Sequence, residues 1–321
     1  MALDLKITGG LVYAGDGGEP VRASIGITDG HITEIGACKA PADRLLDADG
    51  AIVTPGFIDL HTHYDGQVSW DQELRPSVNF GVTTAILGNC GVGFAPVRPT
   101  DHERLIRLME GVEDIPGTAL HEGISWEWES FPEYLDAIDA VPHTIDFGVM
   151  AVHDPIRVYA MGERAGHEQA ATAEDIAAMR ALVAEAMAAG AAGFSTGRTD
   201  VHRTADGEWT PSSEASREEL VGLAAAVRES GRGVLQLVND FNLEREGDQF
   251  DAEFSLIESF VRAGNRPCSI SLMQRDFAPD QWRRILTETE RLNAAGVDFR
   301  VQVAPRAIGC LLYTSPSPRD L

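Results

Sequence analysis

Apolar and polar residues alternate in short runs across residues 5–53: Leu5 to Tyr13, Ala23 to Thr28, and His31 to Ile35. A period of two marks half-buried strands, and the Asp29-Gly30 pair between the last two runs suits the positive φ of a type I′ turn. Residues 1–55 therefore predict a small antiparallel β domain, expected to be the N-terminal part of a composite β-sandwich. From Gly56 the pattern changes. Strand-like runs at Phe57–Leu60, Val82–Leu87, Ile145–Val152, Ala191–Thr196, Gly233–Val238, Cys268–Met273 and Val297–Val303 alternate with helix-like segments, as in βα units around a parallel sheet. The helices have legible ends. Ser216 and Glu219 form a capping-box pattern, Thr172 can cap the long alanine-rich helix, and Gly190, Gly231, Gly264 and Gly296 stand where helices should stop.

The fold class this predicts is α/β. It is a (β/α)8 barrel over residues 56–309, incomplete at about seven βα units, because closure needs eight strands. After Gly309 the sequence reads Cys-Leu-Leu-Tyr-Thr-Ser-Pro-Ser-Pro-Arg-Asp-Leu, without periodicity and similar to a translated sequencing adapter. Residues 310–321 are accordingly expected to be a non-native tail on a truncated fragment.

Composition narrows the partners. With 26 Lys and Arg against 50 Asp and Glu, the net charge of −24 would repel a phosphate backbone, so nucleic acid is not an expected partner. The first residues lack the basic start and apolar core of a signal peptide, and no apolar run reaches the length of a membrane span. The expected location is the cytoplasm, with no membrane partner. Cys38, Cys90, Cys268 and Cys310 form no Cys-x-x-Cys pair, which argues against a disulfide framework or a zinc knuckle.

The chemistry concentrates in Pro55-Gly56-Phe57-Ile58-Asp59-Leu60-His61-Thr62-His63-Tyr64-Asp65. Side chains two apart on a strand share a face, so His61 and His63 project together at the C-terminal end of the first barrel strand, where barrel enzymes assemble their sites. Two imidazoles there can grip one divalent cation. His-x-His alone also arises as a pair of surface histidines; its position after a small sheet and a Pro-Gly turn makes it specific.

This segment resembles the amidohydrolase superfamily, whose first barrel strand ends in such a pair and holds zinc or a similar metal. Further on, Gly81-Val82-Thr83-Thr84, Gly88-Asn89-Cys90-Gly91-Val92-Gly93-Phe94-Ala95-Pro96 and Trp126-Glu127-Trp128-Glu129-Ser130-Phe131-Pro132-Glu133-Tyr134-Leu135 are similar to the N-acyl-D-amino-acid deacylase (D-aminoacylase) branch. The likeness runs from about Leu5 to Gly309. It implies that Cys90 is a third metal ligand, and that the partner is a small-molecule amide substrate; a homo-oligomer is compatible with it. A buried cysteine is otherwise a small inert hydrophobe.

Two departures stand out. Where the resemblance calls for histidines ending the fifth and sixth strands this chain has Val238 and Leu272, with Gln274 at a substrate-lysine position, so a second fully ligated metal is not expected. The aspartate that the family places after the eighth strand has no counterpart, and the fragment is expected to lack turnover on that account. His153, His202, Arg198 and Asp240 follow strands on the same rim and are candidate additional ligands or substrate contacts. Arg198 and Arg306 could equally form salt bridges, with Asp240 one acidic partner. His31, His102, His121, His143 and His167 are expected on the surface. The expected activity is metal-assisted hydrolysis of a non-peptide C–N bond. A small-molecule-binding barrel without catalysis, and a cyclic amidase or deaminase, are the other readings.

Overall fold

The computed structural model describes residues 2–113, 115–241, 249–275 and 278–304. They form two compact units, Met1–Phe57 and Ile58–Leu321.

In the first unit, β1 (Leu3–Val12), β2 (Val21–Thr28) and β3 (His31–Gly36) are antiparallel neighbours. Asp29 and Gly30 between β2 and β3 have φ of 50° and 73°, the pair of positive values a type I′ turn needs. The sheet is nevertheless mixed, which corrects the purely antiparallel expectation: β4 (Ala42–Asp47) and β5 (Ile52–Val53) both run parallel to β1. The cause is local. The ladder of β1 shifts register between Ile7 and Gly10, where Gly9 has a φ of 72°, and β1 pairs with β4 before this point and with β5 after it.

In the second unit the barrel-type strands are β6 (Phe57–Asp59), β7 (Val82–Leu87), β8 (Asp146–Val149), β9 (Ala151–Val152), β10 (Gly193–Arg198), β11 (Val234–Asn239), β12 (Cys268–Ser271) and β13 (Phe299–Gln302). They pair in chain order as β6-β7-β8 and β9-β10-β11-β12-β13. The run expected at Ile145–Val152 is thus divided at Met150. Its first part pairs in parallel with β7 and its second with β10, so one extended stretch belongs to both sheets. The β10–β11, β11–β12 and β12–β13 ladders are also parallel, which requires intervening helices; those of the second unit are α1 (His102–Glu113), α2 (Gly117–Gly123), α3 (Phe131–Asp139), α4 (His153–Met161), α5 (Ala173–Ala189), α6 (Arg217–Glu229), α7 (Phe250–Gly264) and α8 (Gln281–Ala294). An eighth strand would fall outside the described residues.

Thr172 caps α5 with a complete capping box through Asp175. Ser216 caps α6 by accepting from the Glu219 backbone N–H, but the reciprocal half expected from sequence is missing. The Glu219 carboxylate points inward instead. Phe194, Leu235, Ile270 and Phe299, one from each of four neighbouring strands, are fully buried beneath Leu223, Val227, Ile257 and Phe260 of the helices.

Backbone approach is tightest at Gly193, where a Cβ would fall 2.0 Å from the Val234 carbonyl oxygen. Gly193→Ala is expected to destabilise the protein by about 1–3 kcal/mol through overpacking. An unchanged urea midpoint would show that β10 and β11 can part to admit a methyl group.

Candidate metal centre

Short-range backbone chemistry brings the His-x-His segment beside the end of β7. Both the backbone N–H and the hydroxyl of Thr62 donate to the Ile86 carbonyl, at 3.1 and 2.8 Å, and Asn89 Nδ2 donates to the same oxygen at 2.9 Å. The turn that follows holds Gly88, Cys90 and Gly91 at φ of 77°, 58° and 81°. Cys90 is the only one of these with a side chain, and a non-glycine residue in the left-handed region must be held there by its surroundings. Its backbone N–H donates to Gln236 Oε1 of β11 at 3.0 Å, and that of Gly91 donates to Ser195 Oγ of β10 at 3.0 Å. Gly197 completes the fit, because a Cβ there would lie 2.6 Å from the Cys90 carbonyl oxygen.

The ligand-type atoms of His61, His63 and Cys90 all lie within 4.8 Å of one another. His61 Nε2 is 3.1 Å from Cys90 Sγ, and the two imidazole rings sit 5.3 Å apart, edge to face. Outer contacts select the ring tautomers. Gln302 Nε2 donates to Ser269 Oγ at 2.9 Å, which turns Gln302 Oε1 toward His61 Nδ1 at 2.9 Å. His61 Nδ1–H therefore donates to the amide oxygen, and the Nε2 lone pair faces the thiol. His63 Nε2 lies 3.2 Å from Glu113 Oε1, leaving its buried Nδ1 with no hydrogen-bond partner among the described residues.

Electrostatics favour neutral imidazoles. Burial lowers His61, and burial together with the nearby His61 and His202 holds His63 well below the usual histidine value. Burial, then the carboxylates of Glu113 and Asp65, push the Cys90 thiol well up. Asp65 is itself pushed up by burial to about 7, and its Oδ2 has no hydrogen-bond partner among the described residues. Two neutral imidazoles, a thiol that a cation would deprotonate, and an orphaned buried nitrogen make a donor set that fits a divalent metal such as zinc.

The structure sorts the remaining candidates. His202 joins the cluster: its ligand-type atom lies within 4.8 Å of those of Cys90 and Glu113, and burial lowers it to about 4. Glu113, Gln236 and Gln302 went unnoticed in the sequence. The glutamines could have been found as polar residues on otherwise apolar strands, whereas nothing local distinguishes Glu113 from the other acids of α1.

His153 is elsewhere. It begins α4, fully buried, with Nδ1 2.8 Å from Thr196 Oγ1 and Nε2 3.0 Å from Glu219 Oε1. Arg157 shares that carboxylate, so this histidine is occupied by structure and is not a rim ligand. Arg198 is a buried salt-bridge residue, forked on Glu253 at 3.0 and 2.9 Å, and Asp240 is not its partner. Asp240 accepts from Thr199 Oγ1 at 2.7 Å and from the Asp200 N–H, with Arg275 Nη1 at 3.9 Å. Val238 is buried and Leu272 packs on the core, so neither offers a donor. Among the expected surface histidines His31 and His121 are exposed; His102, His143 and His167 are half-buried, His102 stacking on Trp126. Arg306 and Cys310 lie outside the described residues. Cys38 and Cys268 are buried free thiols, and among the described residues no helix is long and apolar enough to cross a membrane.

The sequence pattern of the Amidohydrolase family is matched over residues 44–306. The chain belongs to the amidohydrolase family, in its D-aminoacylase-like branch. A D-aminoacylase of Alcaligenes xylosoxydans xylosoxydans is 33% identical over 258 residues, 76% of this chain and 49% of the relative. An N-acyl-D-glutamate deacylase of the same organism is 32% identical over 310 residues, 94% and 57% of the two chains. The crystal structure of N-acyl-D-glutamate deacylase from Bordetella bronchiseptica, in complex with zinc and a phosphonate mimic of the tetrahedral intermediate, superposes with a TM-score of 0.72 at 28% identity, covering 95% of this chain and 59% of that one. The chain thus spans about half the length of the curated relatives it matches.

Proposed function

We propose that this chain carries the metal-binding part of a hydrolase that cleaves the amide bond of N-acyl amino acids, D-enantiomers foremost, with zinc as the resident cation. The observation that carries this reading is the convergence of His61, His63 and Cys90 within 4.8 Å, just beyond the ends of the neighbouring strands β6 and β7. The named activities of the relatives support it. His61, His63 and Cys90 would hold the ion. When bound, a divalent cation supplies a Lewis acid for a carbonyl oxygen and makes a bound water nucleophilic near neutral pH.

The chain's own groups have defined tasks around that chemistry. Gln302 keeps the His61 lone pair on Nε2, and Glu113 does the same for Nδ1 of His63. Without a cation the Cys90 proton rests between Sγ and His61 Nε2; it must leave before the sulfur can ligate. The Asn89-Cys90-Gly91 turn, pinned by Gln236 and Ser195, fixes where the sulfur stands.

The test pairs turnover with binding. Zinc-loaded protein is offered N-acetyl-D- and L-amino acids and a cyclic imide, and calorimetry follows a phosphonate analogue of the N-acyl-D-amino acid with and without chelator. The expected result is zinc-dependent analogue binding and a preference for the D series. Cleavage of the cyclic imide alone, or analogue binding indifferent to chelation, would overturn the assignment.

A further inference from the structure

Asp154 bonds at once to the turn that carries Cys90 and to the loop that carries His202. It is the second residue of α4, and its backbone N–H, one of the helix-start donors that find no acceptor within a helix, donates to the Gly91 carbonyl at 2.9 Å. Its carboxylate Oδ1 accepts the Ser212 N–H at 2.6 Å, from the loop that runs between β10 and α6. Ser212 Oγ in turn donates to the Gly197 carbonyl of β10 at 3.2 Å, and the Gly91 N–H donates to Ser195 Oγ of the same strand at 3.0 Å. Loop, strand, turn and helix are thus linked in one circuit. Gly91 admits no side chain in it, since its φ is 81° and a Cβ would fall 2.9 Å from the Gly197 nitrogen.

The loop passes this hold on. Arg203 pairs with Trp209 in antiparallel fashion and the Thr204 N–H donates to the Glu208 carbonyl at 2.8 Å, which ties the limb of His202 to the limb of Ser212. The ligand-type atom of His202 stands within 4.8 Å of those of Cys90 and Glu113. Asp154 and Ser212 are fully buried, and Asp154 Oδ2 has no hydrogen-bond partner among the described residues. A buried carboxylate with one oxygen unbonded costs stability, and a neutral acceptor would satisfy the Ser212 N–H. What the charge adds is strength, since a hydrogen bond to an ionised acceptor is about twice as strong as a neutral one.

We propose that Asp154 is a positioning residue for the metal centre, whose ionised carboxylate locks the β10–α6 loop to the Cys90 turn and so sets the sulfur and His202 relative to each other. This role rests on the proposed function in one respect, that Cys90 ligates the ion. The groups facing the carboxylate are His153 and Arg157 of its own helix, Ser212 of the loop and Gly91 of the turn, with Glu219 of α6 bonded to both His153 and Arg157. Burial pushes Asp154 up to about 6, against His153, Ser212 and Arg157, which lower it. Glu219, brought down to about 2, stays ionised across that range. The lock therefore weakens as pH falls through about 6, where Asp154 takes up a proton and accepts only as a neutral carboxyl.

Hydrogen exchange followed by mass spectrometry on chelated protein, corrected for the intrinsic rate, reads residues 88–93 and 208–216 on both sides of pH about 6. On the alkaline side the unaltered chain is expected to be best protected in both segments, Asp154→Asn intermediate and Asp154→Ala least. On the acid side the unaltered chain is expected to fall to the level of Asp154→Asn. The isosteric Asp154→Asn carries the comparison if Asp154→Ala does not fold. Zinc affinity, measured by chelator competition, is expected to drop about tenfold in Asp154→Ala on the alkaline side, the small end of an outer-partner loss. Equal protection of the unaltered chain and Asp154→Asn on the alkaline side, or a response of the loop without the turn, would overturn the role. So would zinc affinity unmoved in both Asp154 variants while Cys90→Ser loses it. Exchange ordered as expected, with zinc affinity unmoved in Cys90→Ser as well, would sink the ligand assignment and leave the lock between loop and turn standing.

Discussion

Zinc affinity is expected to fall more than about 100-fold when either His61 or His63 is replaced by alanine, because losing an outer partner alone costs about 10–100-fold. That smaller loss is expected for Gln302→Leu, which removes the acceptor holding His61 Nδ1–H but leaves the ligand atom in place. The pH dependence follows from the directions of the shifts. Burial and the carboxylates of Glu113 and Asp65 raise the Cys90 thiol, so affinity should climb with pH, with a proton released from sulfur for each ion bound. Burial lowers His61 and His63, so proton competition at the imidazoles begins only on the acid side of the ordinary histidine range. Calorimetry in buffers of different ionisation enthalpy reads the proton directly. Zinc uptake with no released proton, or unweakened in both alanine variants, would remove Cys90 or the histidines from the ligand set.

The second large effect concerns stability. Glu219→Gln is expected to cost about 3–5 kcal/mol, the usual penalty for removing one partner of a buried ion pair. Glu219 is fully buried and holds Arg157 Nη1 and His153 Nε2, so the substitution leaves a buried guanidinium without its counter-charge. Burial by itself would raise this carboxyl, but the hydrogen bonds and charges of His153 and Arg157 prevail and bring it down to about 2. A depressed carboxyl stabilises the fold fully above its unfolded pKa near 4.5, and that contribution disappears as pH falls through about 2. The unaltered protein should therefore lose stability more steeply than Glu219→Gln between these limits. Parallel acid-unfolding curves would deny the carboxylate this role. Glu219→Leu combined with Arg157→Met should recover much of the loss, since an apolar pair leaves no orphaned charge.

Glu219 also illustrates how far sequence reading reaches. The Ser216–Glu219 spacing predicts a reciprocal cap, and the serine half forms because it depends only on residues three apart. The glutamate half does not, because an arginine and a histidine from α4 compete for the carboxylate from inside the fold, and no local pattern announces them. His153 and Arg198 miscarry as rim candidates for the same reason: each stands at a strand end, as read, but its side chain is bound by an acid 66 or 55 residues away.

What the sequence determined by itself is the set of features governed by short-range rules. Strand periodicity placed β6 through β13 to within a few residues, helix-ending glycines and capping residues bounded the helices, and the Asp29-Gly30 turn followed from backbone sterics. The His-x-His spacing kept two imidazoles close in one segment, although both lie just past the end of β6 and not on the strand face expected. The family resemblance named Cys90, and His202 was one of several rim candidates; the tertiary structure decided how Cys90 is seated, through a left-handed turn on β10 and β11, which rim candidate joins it, and that Glu113 from a helix end and Gln302 from β13 meet them. The physical reason is range, since backbone propensities act over a few residues, whereas a buried polar cluster is set by which elements the parallel sheet brings to one end.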